Sequence, residues 1–533
     1  MKKVYLVASG DLRLAANQNC WLAQSEMEAM LTAAFQREGV TVERAHPFDR
    51  KKKHGFIDSQ AHGMEVFRNI PKKAPVVVAE AVWQYSHHVL AGLIAHEGPI
   101  LTVANWSGTW PGLVGLLNLN ASLTKAGATY ASLWSEDFTD EFFTQGLSSW
   151  IKNGKIKHNT SHVARYAKAN VPEKFAAIGE KFARAFRERQ AIMGVFDEGC
   201  MGMYNAIVPD ELLNTLGIFK ERLSQSALFA KVQTVSPSET RAALDWLLKR
   251  GMKFQFGKDE ATELTEAQVL KQLAMYIAAV RIADEFGCRT IGIQYQQGLK
   301  DLSPASDLAE GLLNNVERPP VRHEVTNKIL FAGEALPHFN EVDECAGIDE
   351  LVTYELWREL GLPPENTLHD LRWGRQYRDK KRDDFVWVLE ISGAVPPAHF
   401  AGGYRDASSE RQPPMYFRLG GGTIKGVSKP GWVVWSRVYI EAGKLKFDTG
   451  LLESIALPQE ETVDRWRETT ACWPIMHAVL PGITRDQMMA RHKSNHIHVA
   501  YALDKKSARK AMFAKAAAMK ELGMDVSFCG DIA

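Results

Sequence analysis

Two almost wholly apolar runs, residues 74–79 (APVVVA) and 99–104 (PILTVA), constrain this chain more than any other feature. A strand with one wet face alternates apolar and polar residues. A run without that alternation is buried on both faces, as in the middle of a parallel sheet covered by helices. The flanking sequence agrees. Residues 4–8 read as another strand, 25–39 carry Met27, Met30, Leu31, Ala34 and Phe35 at helical spacing, and 113–126 read as a helix. Strands alternating with helices predict a doubly wound parallel sheet over residues 1–165, closing after KNGKIKHNTSH.

At 533 residues the chain is too long for one core, and three domains are expected. In the second, 166–340, a long amphipathic helix (171–193) leads into a strand (194–196). Helices near 236–250 and 265–286 follow, then a strand at Thr290 and a Ser-Pro start to an amphipathic helix. The third, 341–533, changes character. Antiparallel strands at 385–392, 432–440 and 444–447 are separated by loops such as FAGGYRDASSERQPP and LGGGTIKGVSKPG, and a strand at 496–501, a helix at 508–522 and a strand at 526–529 finish it. The predicted class is α/β: two doubly wound parallel-sheet domains followed by a β-rich C-terminal domain, either an open β-rich domain or a barrel.

Several function classes fall away. The net charge is +1, with 64 basic against 63 acidic residues, which offers no polyanion-binding surface and argues against a nucleic-acid partner. Cys20, Cys200, Cys288, Cys345, Cys472 and Cys529 are scattered, without a C-x-x-C pair, as expected of reduced thiols. The apolar run in MKKVYLVASGD is too short for a signal peptide, and no stretch approaches bilayer-spanning length. A cytoplasmic protein with no membrane partner is expected.

Three segments concentrate polar residues that folding does not require. They are HEVTN (323–327) with NEVDE (340–344), RHKSNHIHVAYA with His492, Asn495, His496 and His498, and the glutamine turn IQYQQ. Each has an ordinary explanation taken singly. Acidic loops are usually just solvated, and His496 and His498 are expected to alternate, one facing in and one out. The GGG at 420–422 matches neither G-x-G-x-x-G nor G-x-x-x-x-G-K-[ST]. Together, carboxylates and an imidazole suit Mn²⁺ or Mg²⁺ better than zinc, with open positions for adjacent oxygens of a polyol. The residues alone point to a metal-dependent carbohydrate or polyol enzyme.

The order of these motifs resembles the L-fucose isomerase family, which includes D-arabinose isomerases and is related in fold to L-arabinose isomerase. IQYQQGLKDLSPASDLAEGLLNN is similar to the family's glutamine-rich turn and the helix after it. RPPVRHEVTN resembles the approach to the first metal-binding glutamate, which implies that role for Glu324. PHFNEVDE resembles the segment of the second acidic ligand, implying Glu341, with Asp343 as the alternative. MMARHKSNHIHVAYA resembles the C-terminal Asn-His segment, implying His496 as third ligand and Asn495 as a substrate contact. By the same resemblance Gln294, Ser392, Tyr404, Trp473, Arg13 and Trp83 contact the sugar, the last from a neighbouring subunit.

The resemblance implies aldose–ketose isomerisation of a pentose, 6-deoxyhexose or related sugar through a cis-enediol. Mn²⁺ (or Mg²⁺ or Co²⁺) would hold the oxygens on C1 and C2, and Glu324 and Glu341 would move the protons. A homo-oligomer, hexameric by resemblance, is expected. Two alternatives stand beside it: a metal-dependent sugar epimerase or lyase on the same site, and a non-catalytic sugar-binding protein.

Overall fold

The computed structural model describes residues 1–166 and 171–532. The chain is mixed α/β, with parallel sheets and a β-rich sheet towards the C-terminus. The first sheet is parallel, order β2-β1-β3-β4-β5, from β1 (Lys3–Val7), β2 (Thr41–Arg44), β3 (Val76–Glu80), β4 (Ile100–Asn105) and β5 (Ala131–Ser135). Its residues alternate between two cores. Val4, Leu6, Val77, Ala79 and Val103 meet helices Leu14–Arg37 and Glu141–Asn153 on one face, while Val7, Val76, Val78 and Ile100 meet three helices on the other. This is the doubly wound arrangement the apolar runs predict. The first helix begins well before the expected 25, at Leu14.

β6 (Val163–Arg165) leaves this unit for the third sheet. The second sheet is parallel, order β10-β7-β8, from β7 (Ala191–Phe196), β8 (Ile218–Leu223) and β10 (Cys288–Ile293), with the two-residue β9 (Lys253–Phe254) apart from it. The amphipathic helix expected over 171–193 is Glu173–Arg189, because residues 191–193 already belong to β7. The helix after Ser-Pro, Asp307–Leu313, is not amphipathic; each of its residues is buried.

The third sheet uses β11 (Asn366–Arg378), β12 (Asp383–Glu390), β14 (Gly431–Glu441), β15 (Lys444–Ser454), β16 (Ile475–Val479), β17 (His496–Tyr501) and β18 (Asp525–Cys529). β13 (Ser408–Ser409) pairs with β9. Antiparallel neighbours run β14-β17-β11-β12-β16-β15, and β15 pairs back onto β14, so six strands close a ring. β18 lies parallel to β15, and β6 runs antiparallel to β18.

His496 and His498 share a face of β17, contrary to the expected in-and-out pair, because a strand repeats every two residues. Both contact the segment at and after Asp343: His496 meets Asp343, and His498 lies 3.6 Å from Asp349. Ile497, Val499 and Tyr501 join the apolar cluster with Trp387, Trp435 and Met476. The three glycines at 420–422 allow close packing. A Cβ on Gly421, at φ +112°, would sit 2.8 Å from the Ala305 nitrogen, and Gln272 bonds both the carbonyl and the amide of Gly422. No helix among the described residues is long and apolar enough to cross a membrane.

Candidate functional site

The strand order of the first sheet reverses between β1 and β3, so the loops after them face a crevice. Arg13, after β1, and Trp83, after β3, reach from there towards the ring of the third sheet. Between them lies a narrow cavity. Trp83, Pro111, Met201, Tyr416, Phe417 and Trp473 supply its apolar wall, and Arg13, Gln296, Glu341, Asp370 and Ser392 its polar groups.

The polar floor is set by strand register. Asp370 on β11 and His496 on β17 are direct antiparallel partners, so their side chains leave the sheet together. Glu341 arrives on a strained turn with φ +57°, followed by Val342 at φ +54°. A β-branched residue at positive φ costs energy of order 1–3 kcal/mol and persists where the surroundings impose it. Here the turn brings the Glu341 carboxylate Oε2 to 3.4 Å from His496 Nε2.

Asp343 has a different task. Its Oδ1 accepts the Ala346 N–H at 3.0 Å and so caps helix Glu344–Leu360. The carboxylate takes a two-pronged bond from Arg437 at 2.6 and 3.1 Å and meets His496 Nδ1 at 2.8 Å. Burial would raise its pKa, but Arg437 and His496 hold it well below the usual carboxylate range. An ionised partner at Nδ1 fixes the proton there and turns Nε2 towards the cavity.

Nε2 therefore faces Glu341 and, at 3.6 Å, Asp370 Oδ1, without hydrogen-bond geometry to either. A bare nitrogen lone pair against two carboxylates is repulsive, so this nitrogen must carry a proton or meet a cation. Burial acts to lower the imidazole, yet the Asp343 bond and the nearby Glu341 and Asp370 carboxylates raise it to about 9. Burial pushes Asp370 up to about 6, His496 opposing and Glu341 adding to the rise.

Among the described residues no group of three His, Cys, Asp or Glu side chains is already disposed to hold an ion. Glu341, Asp370 and His496 nevertheless have the donor chemistry for one. Adjacent ligands of an octahedral ion with bonds near 2.1 Å stand about 3 Å apart, only slightly closer than the two spacings here. The unpartnered Nε2 and the unpartnered Asn495 Oδ1, both buried, are the orphan polar atoms such a group would satisfy. The residues fit an oxygen-preferring divalent cation.

The expected residues divide. Glu341, His496, Asn495, Ser392, Trp473, Arg13 and Trp83 converge here. Asn495 Nδ2 lies 3.4 Å from Asp370, Ser392 Oγ donates to Asp307 at 2.6 Å, and Trp473 Nε1 donates to Gln412 at 2.7 Å. Arg13 is gripped by Asp11 at 2.6 and 2.8 Å, and Trp83 lines the cavity of its own chain.

Three do not converge. Glu324 is 44% exposed and pairs with Lys231 at 2.7 Å and Arg281 at 3.5 Å, so Asp370 takes its expected place beside Glu341. Gln294 turns away to the Gly199 carbonyl and the Gln297 amide, and Gln296, its Oε1 unpartnered, faces the cavity. Tyr404 bonds the Glu317 carbonyl at 2.6 Å and packs on Trp246, leaving Tyr416 as the cavity tyrosine. Asp343, the alternative ligand, lies behind His496 and orients it. No family model matches the chain, and no curated protein matches it either.

Proposed function

We propose that the chain is a divalent-metal-dependent ketol isomerase, converting an open-chain aldose such as a pentose or 6-deoxyhexose to its ketose through a cis-enediol. One observation carries this: an imidazole nitrogen meets two carboxylates, and both carboxylates line an aromatic-walled cavity. Glu341, Asp370 and His496 would hold the ion, Mn²⁺ by preference and Mg²⁺ or Co²⁺ as alternatives. When bound, the ion polarises the substrate carbonyl and lowers the cost of the developing enediolate by several kcal/mol.

This chain's residues do the rest. Glu341, carried in on its strained turn, takes the proton from C2 and returns it to C1. Asp343 keeps His496 in one tautomer throughout. Arg13, rigid in its Asp11 grip, and Gln296 offer donors to the sugar hydroxyls. Trp83, Tyr416 and Trp473 cover the sugar faces and exclude water. A homo-oligomer, hexameric by resemblance, goes with this reading and is measured by sedimentation equilibrium.

The test is a screen of aldopentoses and deoxyhexoses with added Mn²⁺ in D₂O, read by NMR. A ketose product with deuterium on the carbons involved is expected. An epimer or a cleaved product would replace isomerisation with one of the alternative chemistries. The Glu341→Gln variant is expected to stay folded and lose turnover by about 10³-fold or more.

A further inference from the structure

Resting on the isomerase reading, we propose that Ser392 and Asp307 form a proton relay for the sugar oxygens, with Ser392 touching the substrate and Asp307 taking the proton through it. Ser392 lines the cavity, and its Oγ donates to Asp307 Oδ1 at 2.6 Å. With its proton committed behind it, the hydroxyl presents lone pairs to the cavity, where a substrate O–H is what they can accept. Asp307 is buried, and its second oxygen has no hydrogen-bond partner.

The relay is held rigidly. The Gln412 side chain donates to the Ser392 carbonyl and accepts from Trp473, so the serine backbone and the aromatic wall move as one piece. Among the described residues no hydrogen bond or ion pair joins Asp307 to Glu341, Asp370 or His496, which leaves the relay distinct from that donor set. Burial, opposed by the Ser392 bond and reinforced by the Glu341 charge, brings the Asp307 carboxyl up to about 7. A group that gives and takes protons near neutral pH needs that value.

The protons balance. In the aldose, the C2–H proton goes to Glu341 and its electron pair becomes the C1–C2 double bond of the enediol, while the carbonyl pair moves to O1. The O2–H proton passes to Ser392 Oγ as the Ser392 proton passes to Asp307. Asp307 returns a proton through Ser392 to O1, Glu341 returns its proton to C1, and O2 becomes the ketose carbonyl. No oxidant or reductant enters.

The experiment uses the full chain with Mn²⁺, Asp307→Asn and Ser392→Ala singly and together, and a panel of five-carbon alditols as the binding probe. Asp307→Asn keeps an acceptor for the Ser392 hydroxyl but cannot take a proton. The expected result is a kcat loss of about 10²-fold or more in each single variant, with KM and alditol affinity by calorimetry near wild type in Asp307→Asn and changed no more than about fivefold in Ser392→Ala, which loses one substrate hydrogen bond. The double variant loses no more than the worse single one, since both remove the same path. Wild-type kcat in Asp307→Asn, or losses that multiply in the double variant, would overturn the relay alone. If the wild type turns over none of the aldopentoses and deoxyhexoses screened, the isomerase reading falls and the relay with it. Should Asp307→Asn fail to fold, Ser392→Ala carries the test by the same kcat and KM split.

Discussion

At the scale of single residues, the site turns on which carboxylate stands beside His496. Glu324 sits at the surface in ion pairs with Lys231 and Arg281, whereas Asp370 is the cross-strand partner of His496. Glu324→Gln is therefore expected to keep turnover and to cost under about 1 kcal/mol in denaturant unfolding, as exposed ion pairs do. Asp370→Asn is expected to abolish Mn²⁺-dependent turnover at unchanged fold; full activity there would remove Asp370 from the donor set. His496 adds a pH dependence. Its folded value near 9 exceeds the unfolded value of about 6.5, so in metal-free protein it binds its proton more tightly when folded. That contribution to stability is whole below pH 6.5 and is lost as pH rises through 9. A cation at Nε2 must displace that proton, so Mn²⁺ affinity is expected to rise with pH and binding to release protons. Calorimetry in buffers of different ionisation enthalpy measures both, and a pH-independent affinity would exclude His496 as a ligand.

At the scale of elements, β17 was legible to the residue, because NHIHVAY carries β-branched and aromatic residues in a short run bounded by polar ones. β11 was not, although it is the other half of the floor. Its sequence, NTLHDLRWGRQYR, carries too many charged residues to read as a strand, since its ring neighbours bury groups that solvent would otherwise take. The available signal was Asp370 itself, a carboxylate lodged between Leu368 and Leu371 in a β-compatible run. The choice between Gln294 and Gln296 was out of reach. Both follow the end of β10, in a turn where strand alternation no longer applies. Asp343 was visible as an acidic residue but not as the anchor behind His496, because its ion-pair partner Arg437 comes from β14, far along the chain. Arg437→Met leaves that carboxylate buried with only the Ala346 amide and His496 beside it, and a loss of about 3–5 kcal/mol in urea unfolding is expected. Far smaller losses would mean the pair is incidental.

At the scale of the whole molecule, the parallel first sheet was legible because its strands are apolar on both faces, and the closed ring was legible only as a barrel standing as one alternative beside an unclosed β-rich domain, because closure depends on β15 finding both β14 and β16. The cavity needs both units. The switch point supplies Arg13 and Trp83, the ring supplies Asp370, the loop into β16 supplies Trp473, and the turn before helix Glu344–Leu360 supplies Glu341. Trp106 Nε1 bonds the Gly374 carbonyl at 2.8 Å and Trp134 bonds Asp486 at 2.7 Å, which fixes one unit on the other. Trp83→Ala is accordingly expected to weaken alditol binding about tenfold while Mn²⁺ affinity stays put, both read by calorimetry. An unchanged alditol affinity would place the sugar away from the first sheet.

The pairing of β6 with β18 bears on how the protein is made. The ribosome releases β6 early and β18 after every other strand of the same sheet. Until β18 emerges, β6 has no partner and β15 has a stretch of unpaired edge where residues 446–449 will later be bonded. A stalled nascent chain thus exposes two adhesive borders to other polypeptides, and the final strand seals both in one event.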